Sequence, residues 1–185
     1  MPSPLGHVLG GTAVYLAATN TQNRSRLTLA VTLLCSVLPD TDFVPGIIIG
    51  EPAVFHHGVS HSLLFAMFVG GLVFLILRRF NNTKIAVLNG ILASLAYAFH
   101  LLLDLVSVTE GRGIPILWPL RSDRLGINLQ LLGHFHHGRL AQGIWSVVRW
   151  DNLPALIREI TVLGATPLLL LWRERRARST VPSEH

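Results

Sequence analysis

The sequence has few charged residues and a single cysteine. Of its 185 residues, 14% are charged and 50% are hydrophobic, and Cys35 is the one cysteine. A disulfide within the chain is therefore excluded, and the cysteine content does not indicate a redox compartment. Soluble domains carry about a quarter charged residues. The low charge and the mean hydropathy of +0.51 indicate a protein that resides in the lipid bilayer.

Apolar segments alternate with polar connections along the chain and predict an all-α protein, an integral membrane helical bundle of about five apolar helices. The segments are residues 5–19, 27–38, 62–77, 85–108 and 153–172. A span needs about 20 apolar residues. The third and fourth segments approach that length, whereas the first two are short. Residues 1–172 are predicted to form a single membrane-embedded domain, followed by a basic cytoplasmic tail at 173–185.

The beginning of the sequence carries two further signals. The stretch MPSPLGH lacks the basic residues that precede the apolar part of a signal peptide. We therefore expect the first apolar segment to be retained. Gly6 and Gly10 have the GxxxG spacing, which predicts close contact with a neighbouring helix.

The basic residues predict the orientation of the bundle. Lysine and arginine cluster after the first, third and fifth segments, at Arg24, Arg26, Arg78, Arg79, Lys84, Arg173, Arg175, Arg176 and Arg178. The positive-inside rule then predicts an extracytoplasmic amino terminus, five crossings and a cytoplasmic tail. Because this placement accounts for the net charge of +5, we expect membrane lipid as a partner and no nucleic acid.

Histidine and aspartate residues collect on one predicted side of the membrane. The extracytoplasmic ends and connections carry His7, Asp40, Asp42, His56, His57, His61, His100, Asp104, His134, His136 and His137. Every histidine except His185 falls on that side. Ionisable residues inside a membrane domain are rare and mark functional sites. The sequence therefore predicts a metal site at the extracytoplasmic ends of the helices.

The spacing within two motifs suits metal ligation. His100 and Asp104 are four residues apart on a predicted helix, so their side chains share one face. Asp40 and Asp42 follow Pro39, and an extended stretch there would point both side chains the same way. Imidazole and carboxylate ligands suit zinc, manganese or iron, and we expect zinc first. The number of candidate ligands favours two divalent ions about 3.5–4 Å apart.

Each motif alone also has an ordinary structural interpretation. A buried histidine can be a hydrogen-bonded core residue, Asp40 can cap the next element, and Asp104 can pair with an arginine such as Arg121. A loop histidine cluster such as that in residues 134–137 is often incidental. The coincidence of so many ligands on one side favours the metal site.

Four motifs resemble those of a known family. The motifs LPDTD, HHGVSHS, FHLLLD and GIPILWP follow an early histidine and extend to about residue 119. In order and spacing they resemble the LexA-regulated, inner-membrane metal-dependent hydrolase family of bacteria. The resemblance implies a metal set of His7, Asp40, Asp42, His56, His61, His100 and Asp104. The helical layout is also distantly similar to that of zinc-dependent phospholipases C.

The chain departs from the family pattern at two positions. His57 replaces the arginine of the family's HRG, and Ser60 replaces the threonine of its THS. Serine keeps the hydroxyl, whereas histidine lacks the bidentate guanidinium that binds anions. The departures therefore affect substrate recognition more than metal binding.

These observations together predict a membrane-bound metal-dependent hydrolase of the bacterial inner membrane. It would cleave a phosphoester of a lipid or lipid-linked substrate through a metal-activated water. The predicted catalytic residues are Asp40, Asp42 and His57, and the predicted substrate-binding residues are Ser60, Arg121 and His134. The alternative is a metal-cation transporter or a metal-binding membrane protein without catalysis. Because transporter sites lie near the bilayer midplane and these ligands gather at one edge, the hydrolase is favoured.

Overall fold

The protein is all-α in the part of the chain that its structure, a computed structural model, describes: residues 2–20, 23–51, 54–107, 113–127, 129, 132 and 150–179. The helices are α1 (Pro4–Ala18), α2 (Arg26–Val37), α3 (Phe43–Ile48), α4 (Leu63–Arg78), α5 (Thr83–Ser107) and α6 (Leu153–Ser179). One isolated antiparallel bridge joins Ile114 and Leu125. The predicted bundle of five apolar helices is confirmed, and α3 is an additional short helix.

Serine side chains fix where three of the helices begin. Ser3, Ser25 and Ser62 precede α1, α2 and α4, and each hydroxyl accepts a hydrogen bond from the amide three residues later. A serine at this position satisfies an amide that has no partner within the helix. At the other end of α2, Pro39 lies in a 3₁₀ turn, Leu38–Asp42, that leads directly into α3.

Three helical stretches of the described chain are long and apolar enough to cross a membrane. They are Arg26–Ile48, Thr83–Ser107 and Trp150–Arg176. The first of these joins α2, the 3₁₀ turn and α3, so the chain remains helical beyond the proline at which the second predicted segment stopped. Helix α4 is a shorter apolar helix of 16 residues, and α1 has 15.

Helix α5 lies at the centre of the bundle. It packs against α4, α2 and α1, and α1 also packs against α6. A Cβ added at Gly10 would lie 2.8 Å from the Phe99 ring on α5, and one added at Gly6 would lie 2.9 Å from the Glu159 carboxylate on α6. Both glycines of the GxxxG pattern therefore lie at helix contacts, although with different partner helices.

The first and last helices run parallel to each other. Near the start of both, the Ser3 amide donates a hydrogen bond of 2.7 Å to Glu159. Beyond the end of α1, Arg24 in the connection to α2 pairs with Glu174 near the end of α6 at 2.7 Å. Helix α6 continues to Ser179, so the basic residues from Arg173 onward begin on its last turns. The domain boundary at residue 172 stays a prediction.

Candidate metal centre

Four helix ends bring the histidines and aspartates together at one end of the bundle. His7 lies on the first turn of α1, Asp40 lies in the 3₁₀ turn after α2, and His61 immediately precedes α4. His100 and Asp104 lie one turn apart near the end of α5, and 3.1 Å separates His100 Nε2 from Asp104 Oδ2. The predicted convergence of distant ligands at one end is thus present in the structure.

The core of the cluster is a group of four side chains that could hold a metal ion. One ligand atom from each of Asp40, His61, His100 and Asp104 lies within 4.8 Å of the others. His61 Nε2 is 3.5 Å from Asp104 Oδ2, and His100 Nε2 is 3.5 Å from Asp40 Oδ1. Donors bound tetrahedrally about 2.1 Å from one zinc ion lie about 3.4 Å apart. The observed separations therefore fit ligands of a single ion.

His7 faces the second oxygen of each of these aspartates. Its Nε2 is 3.6 Å from Asp104 Oδ1 and 4.0 Å from Asp40 Oδ2. The opposite oxygens, Asp104 Oδ2 and Asp40 Oδ1, face His61 and His100. The His7 ring also stacks on that of His100, with 3.6 Å between the ring centroids. Each carboxylate thus has imidazole nitrogens near both of its oxygens.

Buried polar atoms without hydrogen bonds support the fit of a cation to this cluster. Among the described residues, His7 Nε2, Asp40 Oδ1, His61 Nε2, His100 Nε2 and both oxygens of Asp104 are buried and have no hydrogen-bond partner. They approach one another closely but without hydrogen-bond geometry. An unsatisfied buried polar group costs about 1–3 kcal/mol. A bound ion would satisfy several of them at once, which is one of the accepted explanations for such groups.

Outer contacts orient two of the imidazoles toward the cluster. His100 Nδ1 lies 2.8 Å from the carbonyl oxygen of Ser36. Because a carbonyl only accepts, Nδ1 carries a proton, and Nε2 faces the cluster. His61 Nδ1 lies 3.1 Å from Asp42 Oδ2. Histidine ligands of metals are commonly held in this way by a carbonyl or carboxylate behind the ring.

Asp42 lies behind the histidines rather than among the four clustered ligands. Its carboxylate contacts His56 Nδ1 at 2.9 Å, His61 Nδ1 at 3.1 Å and the Ser60 hydroxyl at 2.9 Å. The expectation of an extended stretch after Pro39 was wrong, because Leu38–Asp42 is a 3₁₀ turn. With three residues per turn, residues two apart point in different directions. Direct metal ligation by Asp42 stays a prediction.

His57 occupies a strained position beside the cluster. Its backbone φ is +60°, a conformation that residues other than glycine adopt rarely and at an energetic cost. Its buried ring places Nε2 4.0 Å from Asp104 Oδ2. One nitrogen each of His56, His57 and His61 also lies within 4.8 Å of the others. Ligation by His56 and catalysis by His57 both stay predictions.

The predicted substrate-binding residues lie farther out. Ser60 donates its hydroxyl to Asp42. Arg121 pairs with Asp123 at 2.6 Å in an exposed loop. The alternative interpretation, in which Arg121 pairs with Asp104, is therefore wrong. His134, His136 and His137 lie outside the described residues.

Sequence reasoning missed two residues that support the cluster. Tyr97 donates a hydrogen bond of 2.8 Å to the Ser60 carbonyl and so holds the loop that carries His61. Its position three residues before His100, on the same helix face, was the available signal. The Ser36 carbonyl behind His100 gave no sequence signal, because any residue type has a carbonyl.

Two carboxylates raise the pKa of the His61 imidazole. Burial alone would lower this pKa, but the nearby carboxylates of Asp104 and Asp42 outweigh burial and raise the pKa above its ordinary value. Protons therefore compete with a cation for the imidazole nitrogen.

The fold and the cluster define a helical membrane protein with a buried histidine and aspartate centre that could hold a metal ion. The family model of the YdjM inner membrane protein matches residues 1–177, and the chain therefore belongs to that family. No curated protein and no solved structure matches the chain. Membership confirms the resemblance to an inner-membrane family, whereas LexA regulation and likeness to phospholipases C stay predictions.

Proposed function

We propose that the protein is a membrane-bound metal-dependent hydrolase that cleaves a phosphoester of a lipid or lipid-linked substrate. The observation that carries the proposal is the buried cluster of imidazole nitrogens and carboxylate oxygens, several of which have no hydrogen-bond partner. The absence of cysteine from the cluster and its mixture of nitrogen and oxygen donors favour zinc, with manganese or iron as alternatives.

Two ions would fit the arrangement of imidazole nitrogens around Asp40 and Asp104. One would be held by His61 and His100 together with Asp40 Oδ1 and Asp104 Oδ2. The other would be held by His7 and the opposite oxygens of the same carboxylates, from which His7 Nε2 lies 3.6 Å and 4.0 Å away. Paired ions that share ligands are a recurrent arrangement in enzymes that hydrolyse phosphoesters.

Asp40 is the ligand best placed to take part in the reaction. Its side chain is 19% exposed, whereas those of His7, His61, His100 and Asp104 are fully buried. Divalent ions supply Lewis acidity toward a phosphoryl oxygen and lower the pKa of water. From its accessible position, the Asp40 carboxylate would face the substrate and the attacking water, and Asp42 would keep His61 oriented.

The surroundings of the cluster favour a lipid substrate. The connection between Asp42 and His56 exposes large apolar side chains, with Ile48 79% and Phe55 48% exposed. Together with the apolar helical stretch Arg26–Ile48, these side chains give the segment that contains and follows Asp40 an apolar exposed surface. An amphiphile whose chains lie in the bilayer can therefore present its headgroup to the cluster. We further propose that this end of the bundle is extracytoplasmic, on the basis of the distribution of basic residues.

Metal content and hydrolysis measured on the same preparation test the proposal. The full chain would be purified in detergent, analysed for bound metals, and assayed for phosphate or headgroup release from lipid vesicles with and without a chelator. We expect metal in the wild-type protein, activity that chelation abolishes and zinc restores, and loss of both metal and activity in Asp104→Asn. Asp123→Asn makes the same chemical change in an exposed loop and should keep its metal.

Three results would overturn the proposal. Activity that survives both chelation and Asp104→Asn would exclude a metal-dependent mechanism at this cluster. Uptake of zinc or manganese into sealed vesicles without any hydrolysis would favour the transporter instead. Protein that binds no metal under any loading condition would leave a membrane scaffold as the better interpretation.

A further inference from the structure

A buried carboxylate on the last helix holds the first turn of α1. Glu159 is 0% exposed and Ser3 is 1% exposed. The carboxylate accepts hydrogen bonds from the Ser3 amide, at 2.7 Å, and from the Ser3 hydroxyl. Glu159 lies inside the apolar stretch Trp150–Arg176, where a carboxylate is costly and is retained for a specific role.

The contact continues from Ser3 to His7 through the first turn of α1. The Ser3 hydroxyl accepts a hydrogen bond from the Gly6 amide at 3.2 Å, and the Ser3 carbonyl accepts one from the His7 amide at 3.2 Å. Gly6 allows the approach, because a Cβ there would lie 2.9 Å from Glu159 Oε2. Glu159 thus holds Ser3, and Ser3 in turn holds the backbone amide of His7.

The geometry points to Glu159 as a positioning residue for His7. By fixing Ser3, it sets the place of the first turn of α1 and hence of His7 Nε2 relative to Asp104 and Asp40. This inference rests on the proposed metal function, because among the described residues His7 would be the only nitrogen ligand of the second ion. Within the described chain, α6 supplies no member of the cluster, so Glu159 is the link by which the last helix supports the centre. Loss of such an outer contact typically lowers metal affinity about 10–100-fold.

Cobalt binding to the full-length protein in detergent tests the inference. Cobalt is a spectroscopic substitute for zinc, and its visible absorption depends on the number and geometry of its ligands. In Glu159→Ala we expect binding of the second cobalt equivalent to weaken about 10–100-fold, with a changed spectrum. Glu159→Gln keeps an oxygen for the Ser3 amide and should recover part of the affinity. Glu174→Gln, the same change at the other end of α6, should match wild type.

Hydrogen exchange of the Gly6 and His7 amides provides a readout without metal. We expect faster exchange at these amides in Glu159→Ala but not in Glu174→Gln. If exchange and cobalt binding in Glu159→Ala match wild type, or if only the thermal stability falls, the inference is wrong. If the wild-type protein binds no cobalt, the proposed function fails, and the exchange measurement alone decides whether Glu159 fixes the first turn.

Discussion

Replacement of Asp42 by asparagine distinguishes a metal ligand from a residue that orients one. In the structure, Asp42 uses one oxygen for His56 and the other for His61 and Ser60, at 2.9–3.1 Å. Asparagine keeps one acceptor oxygen and replaces the other with a donor amide, so the Nδ1 proton of His61 loses its charged acceptor. We expect the substituted protein to bind the same number of ions with lower affinity.

The expected loss of metal affinity in Asp42→Asn follows from the role of Asp42 as a residue that orients His61. Loss of a contact behind a metal-ligating histidine weakens metal binding about 10–100-fold, which corresponds to about 1.4–2.8 kcal/mol of binding free energy. Zinc affinity would be measured by competition with a chromophoric chelator, and the number of bound ions by elemental analysis at saturation. Asp123→Asn serves as the matched control and should bind zinc as wild type does.

Two results would refute this reasoning. If Asp42→Asn binds one ion fewer at saturating zinc, Asp42 is a direct ligand and the contacts seen in the structure change when the ion binds. If zinc affinity is unchanged, the contact with His61 does not orient the ring for metal binding.

Two further predictions concern the contacts of α5 with α4 and with the loop that precedes α4. A Cβ at Gly70 would overlap the Ser94 hydroxyl and lie 2.6 Å from the Gly90 carbonyl oxygen, whereas one at Gly71 would meet nothing within 4 Å. Thermal unfolding in detergent should therefore show Gly70→Ala destabilised by about 1–3 kcal/mol and Gly71→Ala close to wild type. Equal stabilities of the two variants would contradict the close approach of α4 and α5. Tyr97→Phe removes the hydrogen bond to the loop before α4 and should lower the free energy of unfolding by about 1 kcal/mol. An unchanged stability would show that Tyr97 does not hold that loop.

The sequence was sufficient to predict the grouping of the ligands because two independent patterns agreed. Basic residues indicated the direction of each helix, and the histidines and aspartates then fell at one end. The pair His100 and Asp104 was predictable in detail, since an interval of four residues on a continuous helix puts both side chains on one face. The structure places their atoms 3.1 Å apart.

The division of the candidates into clustered and outer residues was not predictable from the sequence. Asp40 and Asp42 are the same residue type in the same motif, so the sequence does not distinguish them. The 3₁₀ turn Leu38–Asp42 directs the Asp40 side chain toward the cluster and places the Asp42 side chain behind His61. Proline alone does not distinguish an extended stretch from a helical turn at this point. The role of Glu159 depends on contact between helices that begin and end the chain, and local patterns carry no information about it.

The parallel pairing of α1 and α6 has a consequence for the order of assembly during synthesis. The clustered ligands lie between His7 and Asp104, so all of them have been synthesised before the ribosome reaches Glu159. Yet the hydrogen bonds from Ser3, which precedes α1, to Glu159 come from the helix translated last. A nascent chain that ends before α6 would therefore contain all of the clustered residues, with α1 able to pack on α2 and α5 but without the contact that fixes its first turn, and the final placement of His7 would follow insertion of the last segment.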